Sequence, residues 1–387
     1  MQQSRPTGWG GPTLLVWNDL DSAGPSSATS IDTLEIVPEQ SSHTPPRLLP
    51  APRESGRDRR DALSALKENL DEAYDRLVLV PVDRVQVTVV IDNFLDVLMA
   101  GEEGVVRYRA RDFGASEQLV AEHGFSAVVA FERNGDRHAV LYDAGLTAHA
   151  VARNLDVLEV PVGDLRAIVI SHGHADHHGG LEGLVRRRGR SRLPLVIHPD
   201  AWRERRVVFP TGGELRLPPP SRHDLEAEGL EVVEERAHSL LLDSCVLVSG
   251  QIERVTEFER GFPIHQARGP DGWEPDPMIW DDQALVVNVR DRGLVVVSGC
   301  SHAGAINVLR HAQRLTGESR VTGFIGGLHL TGGLFESRIE PTVEALRAAG
   351  VGRVVPAHCS GWKAVHAIAR AMPEAFVQAA VGTTVTF

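Results

Sequence analysis

Ser171-His172-Gly173-His174-Ala175-Asp176-His177-His178-Gly179-Gly180 follows directly on the apolar run Ala167-Ile168-Val169-Ile170, and the reading of this junction decides the fold. Residues two apart on an extended segment point to the same side. His172 and His174 can therefore hold one cation between two imidazoles, with Gly173 keeping the turn narrow. Asp176 and His177 follow as the chain bends towards a helix beginning near Leu181, and they offer a carboxylate and an imidazole to a second cation. Imidazole and carboxylate donors with open positions suit catalytic zinc, and also manganese or iron. A tract this rich in histidine is a metal candidate on composition alone, which sets that reading above the alternative of a solvated turn.

Working outward, two more histidine-bearing turns each close an apolar run. Leu294-Val295-Val296-Val297 leads into Ser298-Gly299-Cys300-Ser301-His302-Ala303-Gly304, and Arg353-Val354-Val355 into Pro356-Ala357-His358-Cys359-Ser360-Gly361. In layered α/β proteins ligands gather beyond the carboxyl ends of strands. Imidazoles delivered there by His302 and His358 can complete a site begun by the first tract. A lone histidine in such a turn is more often structural, and the tandem context favours ligation.

The wider pattern supplies the layers. Short β-branched runs at 85–89, 127–129, 139–141, 167–170, 195–197, 245–248, 285–287, 294–297, 321–325 and 354–355 interleave with helical periodicity at 148–155, 181–187, 305–315, 341–349 and 362–372. Strands alternating with helices mean a layered α/β domain, expected over residues 85–387. Residues 58–84 read as a linker helix, with Leu63, Leu66, Leu70, Tyr74 and Leu77 spaced by threes and fours. Residues 1–57 are rich in Pro, Ser, Gly and Thr, a composition that buries little apolar surface, and are expected to form a disordered or loop-rich extension. Its short apolar patch, Leu14-Leu15-Val16-Trp17, could dock on the main body.

Composition narrows the class. The chain has 387 residues, 42% hydrophobic, with a formal charge of −12, so a sizeable core is available and wide contact with a phosphodiester backbone is disfavoured. Cys245, Cys300 and Cys359 form no close-spaced pair, which suits a reducing compartment rather than a disulfide framework. The first residues, Met1-Gln2-Gln3-Ser4-Arg5-Pro6, do not resemble a secretion signal. No run approaches the roughly 20 apolar residues of a membrane span. The expectation is a soluble, cytoplasmic protein with a small-molecule substrate, without nucleic-acid or membrane partners, and with its oligomeric state open.

The His-x-His-x-Asp-His tract with later strand-end histidines resembles the metallo-β-lactamase superfamily. The likeness extends to one branch through Asp92-Asn93, Glu122-His123-Gly124, Leu141-Tyr142-Asp143-Ala144-Gly145 and Ile252-Glu253-Arg254-Val255-Thr256-Glu257-Phe258-Glu259. Asp281-Asp282-Gln283-Ala284-Leu285, the Cys300 turn, Gly326-Gly327-Leu328-His329-Leu330 and the His358 turn continue it in order to the end of the chain. That branch contains the archaeal synthase joining a dihydropterin to ribofuranosylaminobenzene phosphate, along with many bacterial hydrolase-like proteins.

The resemblance implies an αββα sandwich of two mixed sheets flanked by helices, with two divalent metal ions at one edge: zinc first, manganese or iron as alternatives. His172, His174 and His302 would hold one metal, and Asp176, His177 and His358 the other. Asp143 would orient a ligand imidazole, or else cap a turn. Where many superfamily hydrolases carry a bridging Asp after Ser-Gly or Thr-Gly, this chain has Cys300, which leaves a thiolate ligand, an outer partner or inert packing open. His174 stands where oxygen-handling di-iron members carry a carboxylate, so redox di-iron chemistry is disfavoured.

The implied activity is metal-dependent hydrolysis of a small, possibly anionic substrate, since bound water acidified to a pKa near 7 supplies hydroxide at neutral pH. Asp176 would steer that water. His329 is a candidate acid or substrate contact, with a structural role as the alternative. Arg254 and Lys363 are candidates for a substrate anion, against ordinary ion pairing. The other activities considered are synthase-like transfer from a pterin diphosphate to an arylamine ribose phosphate, and non-catalytic metal binding. Phe, Trp and Tyr at 5% of residues weaken the pterin reading slightly, because ring stacking draws on aromatics.

Overall fold

The computed structural model describes residues 77–387, apart from 115–116 and 190–191. The extension and positions 58–76 of the expected linker helix therefore lie outside the described residues; positions 77–84 are described and are not helical, running as irregular chain into a strand that begins at Arg84. The chain joins the body earlier than Val85, where the sequence texture changes: Leu79 and Val82 are buried, and the Leu77 amide donates to the Leu315 carbonyl at 2.9 Å.

Two mixed sheets face each other. The first holds β1 (Arg84–Ile91), β2 (Val105–Val106), β3 (Ser126–Arg133), β4 (Asp136–Tyr142), β5 (Leu165–Val169), β6 (Leu193–Ile197), β9 (Leu230–Glu234) and β18 (Thr384–Thr386), in the order β2-β18-β1-β3-β4-β5-β6-β9. The second holds β10 (Ser239–Leu241), β11 (Val246–Val248), β14 (Ala284–Val289), β15 (Gly293–Ser298), β16 (Val321–Gly327) and β17 (Arg353–Ala357), in that order. Pairing is antiparallel up to β15 and parallel from β15 to β17, as expected when helices supply the crossovers. Those helices are α5 (Ala305–Thr316) and α6 (Ile339–Ala348), with α7 (Trp362–Ala371) after β17. On the first sheet, α1 (Ala150–Val157) precedes β5; α2 (Ala175–His178) and α3 (Leu181–Arg188) follow it, and α4 (Arg222–Ala227) precedes β9.

Central strands such as β3, β14 and β15 are buried on both faces, which is why they read as continuous apolar runs. In β14, Leu285 and Val287 point between the sheets towards Val129 and Val140, while Val286 points outward with Ile306 and Leu309 of α5. On the opposite side Leu141 and Ile168 pack with Val151, Leu155 and Leu184 of α1 and α3. The three clusters define the αββα layers. Each fully buried Val or Leu contributes on the order of 1.5–3 kcal/mol to this arrangement.

A third sheet, of order β13-β12-β7-β8, contains β7 (Arg205–Val208), β8 (Glu214–Leu217), β12 (His265–Gly269) and β13 (Gly272–Pro275). It gave no apolar signal in the sequence because its outer face is polar, with Arg206 lying 4.4 Å over the Trp273 ring. Among the described residues no helix is long and apolar enough to cross a membrane.

Candidate metal centre

The ends of β4 and β5 from one sheet and of β15, β16 and β17 from the other converge at a single edge of the sandwich. Asp143 follows β4, and His172, His174, Asp176 and His177 follow β5. Cys300 and His302 follow β15, His329 follows β16, and His358 and Cys359 follow β17. The turns are tight. Asp143, Ser301, His329 and His358 all have positive φ, at 59°, 54°, 44° and 48°, a conformation that costs non-glycine residues and concentrates at functional sites. At Gly173 a Cβ would lie 2.2 Å from the Ala201 carbonyl oxygen, so only glycine fits between the two ligand candidates.

Six expected ligands fall into two adjoining groups. His174 Nδ1 lies 3.0 Å from His172 Nε2 and 3.2 Å from His302 Nε2. Asp176 Oδ2 lies 3.2 Å from His358 Nε2 and 3.8 Å from His177 Nε2. Cys300 Sγ, 3.2 Å from His177 Nε2, joins His172 and His177 in a donor group that links the two. His178 turns away and reaches the Pro218 carbonyl.

Outer partners fix several of these rings. A carboxylate only accepts, so His177 Nδ1 donates to Asp143 Oδ2 at 2.7 Å and its Nε2 faces the site. Asp143 also makes the turn-capping contact, accepting from the Ser171 amide at 2.7 Å through Oδ1. Ser171 Oγ donates to Asp143 Oδ2 at 2.8 Å, which leaves it to accept from His172 Nδ1 at 2.9 Å. His358 Nδ1 donates to Asn93 Oδ1 at 3.1 Å, and the buried His358 Nε2 faces Asp176 Oδ2 at 3.2 Å. The His358 amide donates to Asp92 Oδ1 at 2.6 Å, and burial raises the Asp92 carboxyl to about 6 despite that bond.

This donor set fits divalent cations. Burial, followed by neighbouring imidazoles, holds His172 and His302 well below the usual histidine range, and burial with His265 does the same for His174, so their nitrogens offer lone pairs. Burial opposes charge on Asp176, but His177 and His358 outweigh it and keep the carboxyl well below its usual value. Burial also opposes charge on His177, yet Asp143 and Asp176 carry it up to about 9. A cation at Nε2 satisfies the same electrostatic demand.

His329 is brought to the edge of the cluster. Its ring lies 4.2 Å from that of His302 and 4.5 Å from Phe335, and its buried Nδ1 has no hydrogen-bond partner. Arg254 and Lys363 have other partners: Arg254 donates to the Ile252 and Met278 carbonyls, and Lys363 pairs with Glu336 at 2.7 Å. Three residues went unnoticed in the sequence as parts of the site. His123 Nε2 lies 3.5 Å from Asp176 Oδ2 at the exposed mouth, and Cys359 joins Cys300 and His329 in a further donor group. His265 Nε2 lies 2.9 Å from His174 Nε2. His123 and Cys359 stand inside stretches that resemble the family; His265, in a polar strand without metal-ligand spacing, gave no signal.

Fold and site together define a member of the metallo-beta-lactamase superfamily, and the chain belongs to it: the family model matches residues 121–358. Among curated proteins it is 28% identical, over 72% of this chain and 95% of the relative, to 7,8-dihydropterin-6-methyl-4-(beta-D-ribofuranosyl)-aminobenzene-5'-phosphate synthase of Methanocaldococcus jannaschii. An uncharacterised protein of the same organism is 29% identical over 66% of this chain and 90% of its own length. Among solved structures, a metal-dependent hydrolase of the beta-lactamase superfamily shares the fold with a TM-score of 0.60 and 24% identity, covering 78% of this chain and 98% of that one.

Proposed function

We propose that this chain is a dinuclear metal-dependent hydrolase acting on a small-molecule substrate. The observation that carries the reading is the convergence of inward-facing donor atoms: His172, His174 and His302 for one cation, and Asp176, His177 and His358, with Cys300 beside them, for the other. Two divalent cations, zinc first and manganese or iron as alternatives, would supply Lewis acidity and water acidified towards neutral pH. The protein's own contribution is orientation. Asp143 and Ser171 hold His177 and His172, and Asn93 holds His358. Asp176, the carboxylate between His358 and the exposed His123, is placed to accept a proton or steer a water. His329, with an unpartnered nitrogen beside His302, is placed to hand a proton to a leaving group. The formal charge of −12 and three free, buried cysteines support a small-molecule enzyme of a reducing, cytoplasmic compartment.

A second reading rests on one specific finding, the 28% identity spanning 95% of the archaeal synthase. On that reading the nitrogen of an arylamine ribose phosphate would attack the methylene carbon of a dihydropterin diphosphate, forming a C–N bond as the C–O bond to diphosphate breaks and the nitrogen gives up a proton.

The test is elemental analysis before and after reconstitution with zinc or manganese, followed by turnover assays. The expected content is about two ions per chain, and p-nitrophenyl phosphates or lactones should be hydrolysed. His174→Ala should lose metal and turnover while keeping its circular dichroism. A metal content near zero after reconstitution sinks the reading. Turnover confined to a pterin diphosphate with an arylamine acceptor moves the assignment to the synthase.

A further inference from the structure

His265 is absent from the proposed ligand set, yet its ring lies against His174. We infer that His265 is a positioning residue: it fixes which nitrogen of His174 carries the proton, and so turns the His174 Nδ1 lone pair towards His172 and His302. This deepens the proposed metal function and rests on it in naming a cation as what that lone pair receives.

The argument is one of hydrogen-bond direction. His265, on β12, is fully buried, and its Nδ1 lies 2.9 Å from the backbone carbonyl oxygen of Asp276. A carbonyl only accepts, so His265 Nδ1 carries a hydrogen. A neutral imidazole then has its lone pair on Nε2. That lone pair faces His174 Nε2 at 2.9 Å. Two lone pairs repel across such a gap, so His174 Nε2 carries the hydrogen and donates it. His174 Nδ1 is left bare, 3.0 Å from His172 Nε2 and 3.2 Å from His302 Nε2, where the converging lone pairs would repel one another unless a cation sat between them. The chain of donors runs in one direction, from His174 through His265 to the Asp276 carbonyl, and each member fixes the next.

Neutral His265 follows from its surroundings. The fully buried ring and the fully buried Arg205 guanidinium both reach Asp276 Oδ2, at 3.5 and 3.3 Å, and a second positive charge beside Arg205 away from water is disfavoured. Arg205 is itself fully buried and held by Asp281 at 2.6 and 2.9 Å and by Asp276 at 3.3 Å. Asp281 also accepts from the Gly173 amide at 2.8 Å. The third sheet therefore grips the metal-binding turn twice, at the backbone between His172 and His174 through Arg205 and Asp281, and at the His174 ring through His265. This gives the small polar sheet a task in the site.

The test compares zinc affinity of the full chain, by competition with a chromophoric chelator, for wild type, His265→Phe and His265→Gln. Phenylalanine keeps a flat ring without an acceptor; glutamine returns an amide oxygen that can accept from His174. His265→Phe should weaken zinc binding about 10- to 100-fold, the usual effect of losing an outer partner, and His265→Gln should recover most of it. Wild-type affinity in His265→Phe overturns the inference. Nitrogen-15 spectra of the zinc-loaded wild-type imidazoles add a readout without any variant: the proton should sit on His174 Nε2 and His265 Nδ1, and the opposite tautomer of His174 overturns the inference. A wild type that binds no zinc but shows these tautomers would fail the metal reading while sustaining the positioning of His174.

Discussion

An imidazole can hold a cation through one nitrogen while the other donates its proton elsewhere, and the second contact decides where the ring points. His177, His172 and His358 each have that outer contact, to Asp143, Ser171 and Asn93. Cys300 Sγ sits 3.2 Å from the inward nitrogen of His177, with the Cys359 thiol as its other neighbour. Burial and the neighbouring Cys359 raise the Cys300 thiol well above its ordinary value, so a cation would have to displace its proton. Cys300→Ser should therefore lower affinity for one of the two cations by more than the roughly 10- to 100-fold that loss of an outer partner causes, because serine is a far weaker acid. Metal occupancy in dilute chelator, side by side with wild type, checks this. Unchanged occupancy with a modest fall in Tm would show that the thiol only packs. The ligand candidates were legible because each stands in a turn directly after an apolar strand, a local pattern. His265 was not legible, because its partner His174 is 91 residues away and meets it only through the folding of a polar sheet.

At the scale of elements, α5 shows how a helix is assembled from parts distant in sequence. Glu259 accepts from the Ile306 and Asn307 amides at its N-terminus, and Gly317, at φ 70°, ends it in the left-handed region. Its periodicity was readable from Ile306, Leu309, Ala312 and Leu315, all buried against the second sheet. The capping carboxylate was not readable, since it comes from another loop. The same helix carries His311, whose Nε2 lies 3.2 Å from the Ser249 carbonyl and whose Nδ1 lies 2.8 Å from Arg314. Burial lowers His311 from 6.5 to about 4. The sign follows from linkage: between those two values the unfolded chain takes up a proton that the folded chain refuses, so this residue contributes a loss of stability as pH falls from 6.5 towards 4. His311→Gln removes that proton uptake while keeping a donor and an acceptor. The Tm of the variant relative to wild type should therefore rise as pH falls through this window. Parallel Tm profiles across it would show that His311 titrates alike in both states.

At the scale of the whole molecule, the site depends on how two sheets meet. β5 delivers four of the candidate ligands from one sheet, and β15 and β17 deliver His302 and His358 from the other, so the centre forms only where the central core holds both in register. The layers were legible in the alternation of apolar runs and helical periods. The pairing order of the strands was not, because strands buried on both faces present no polar side to fix a neighbour. All six candidate ligands lie between His172 and His358, and the chain is packed on the body from Leu77, with Leu79 and Val82 in separate core clusters. Residues 1–57 supply none of these donors, and their Pro-, Ser- and Gly-rich composition offers little apolar surface to bury. Deleting them should leave a soluble protein with about two metal ions per chain and undiminished turnover. Elemental analysis, size-exclusion chromatography and Tm of the truncated chain beside the full one measure this. An insoluble or metal-free product would show instead that the Leu14-Leu15-Val16-Trp17 run is part of the body, and that the two-sheet core needs it to hold the two halves of the site together.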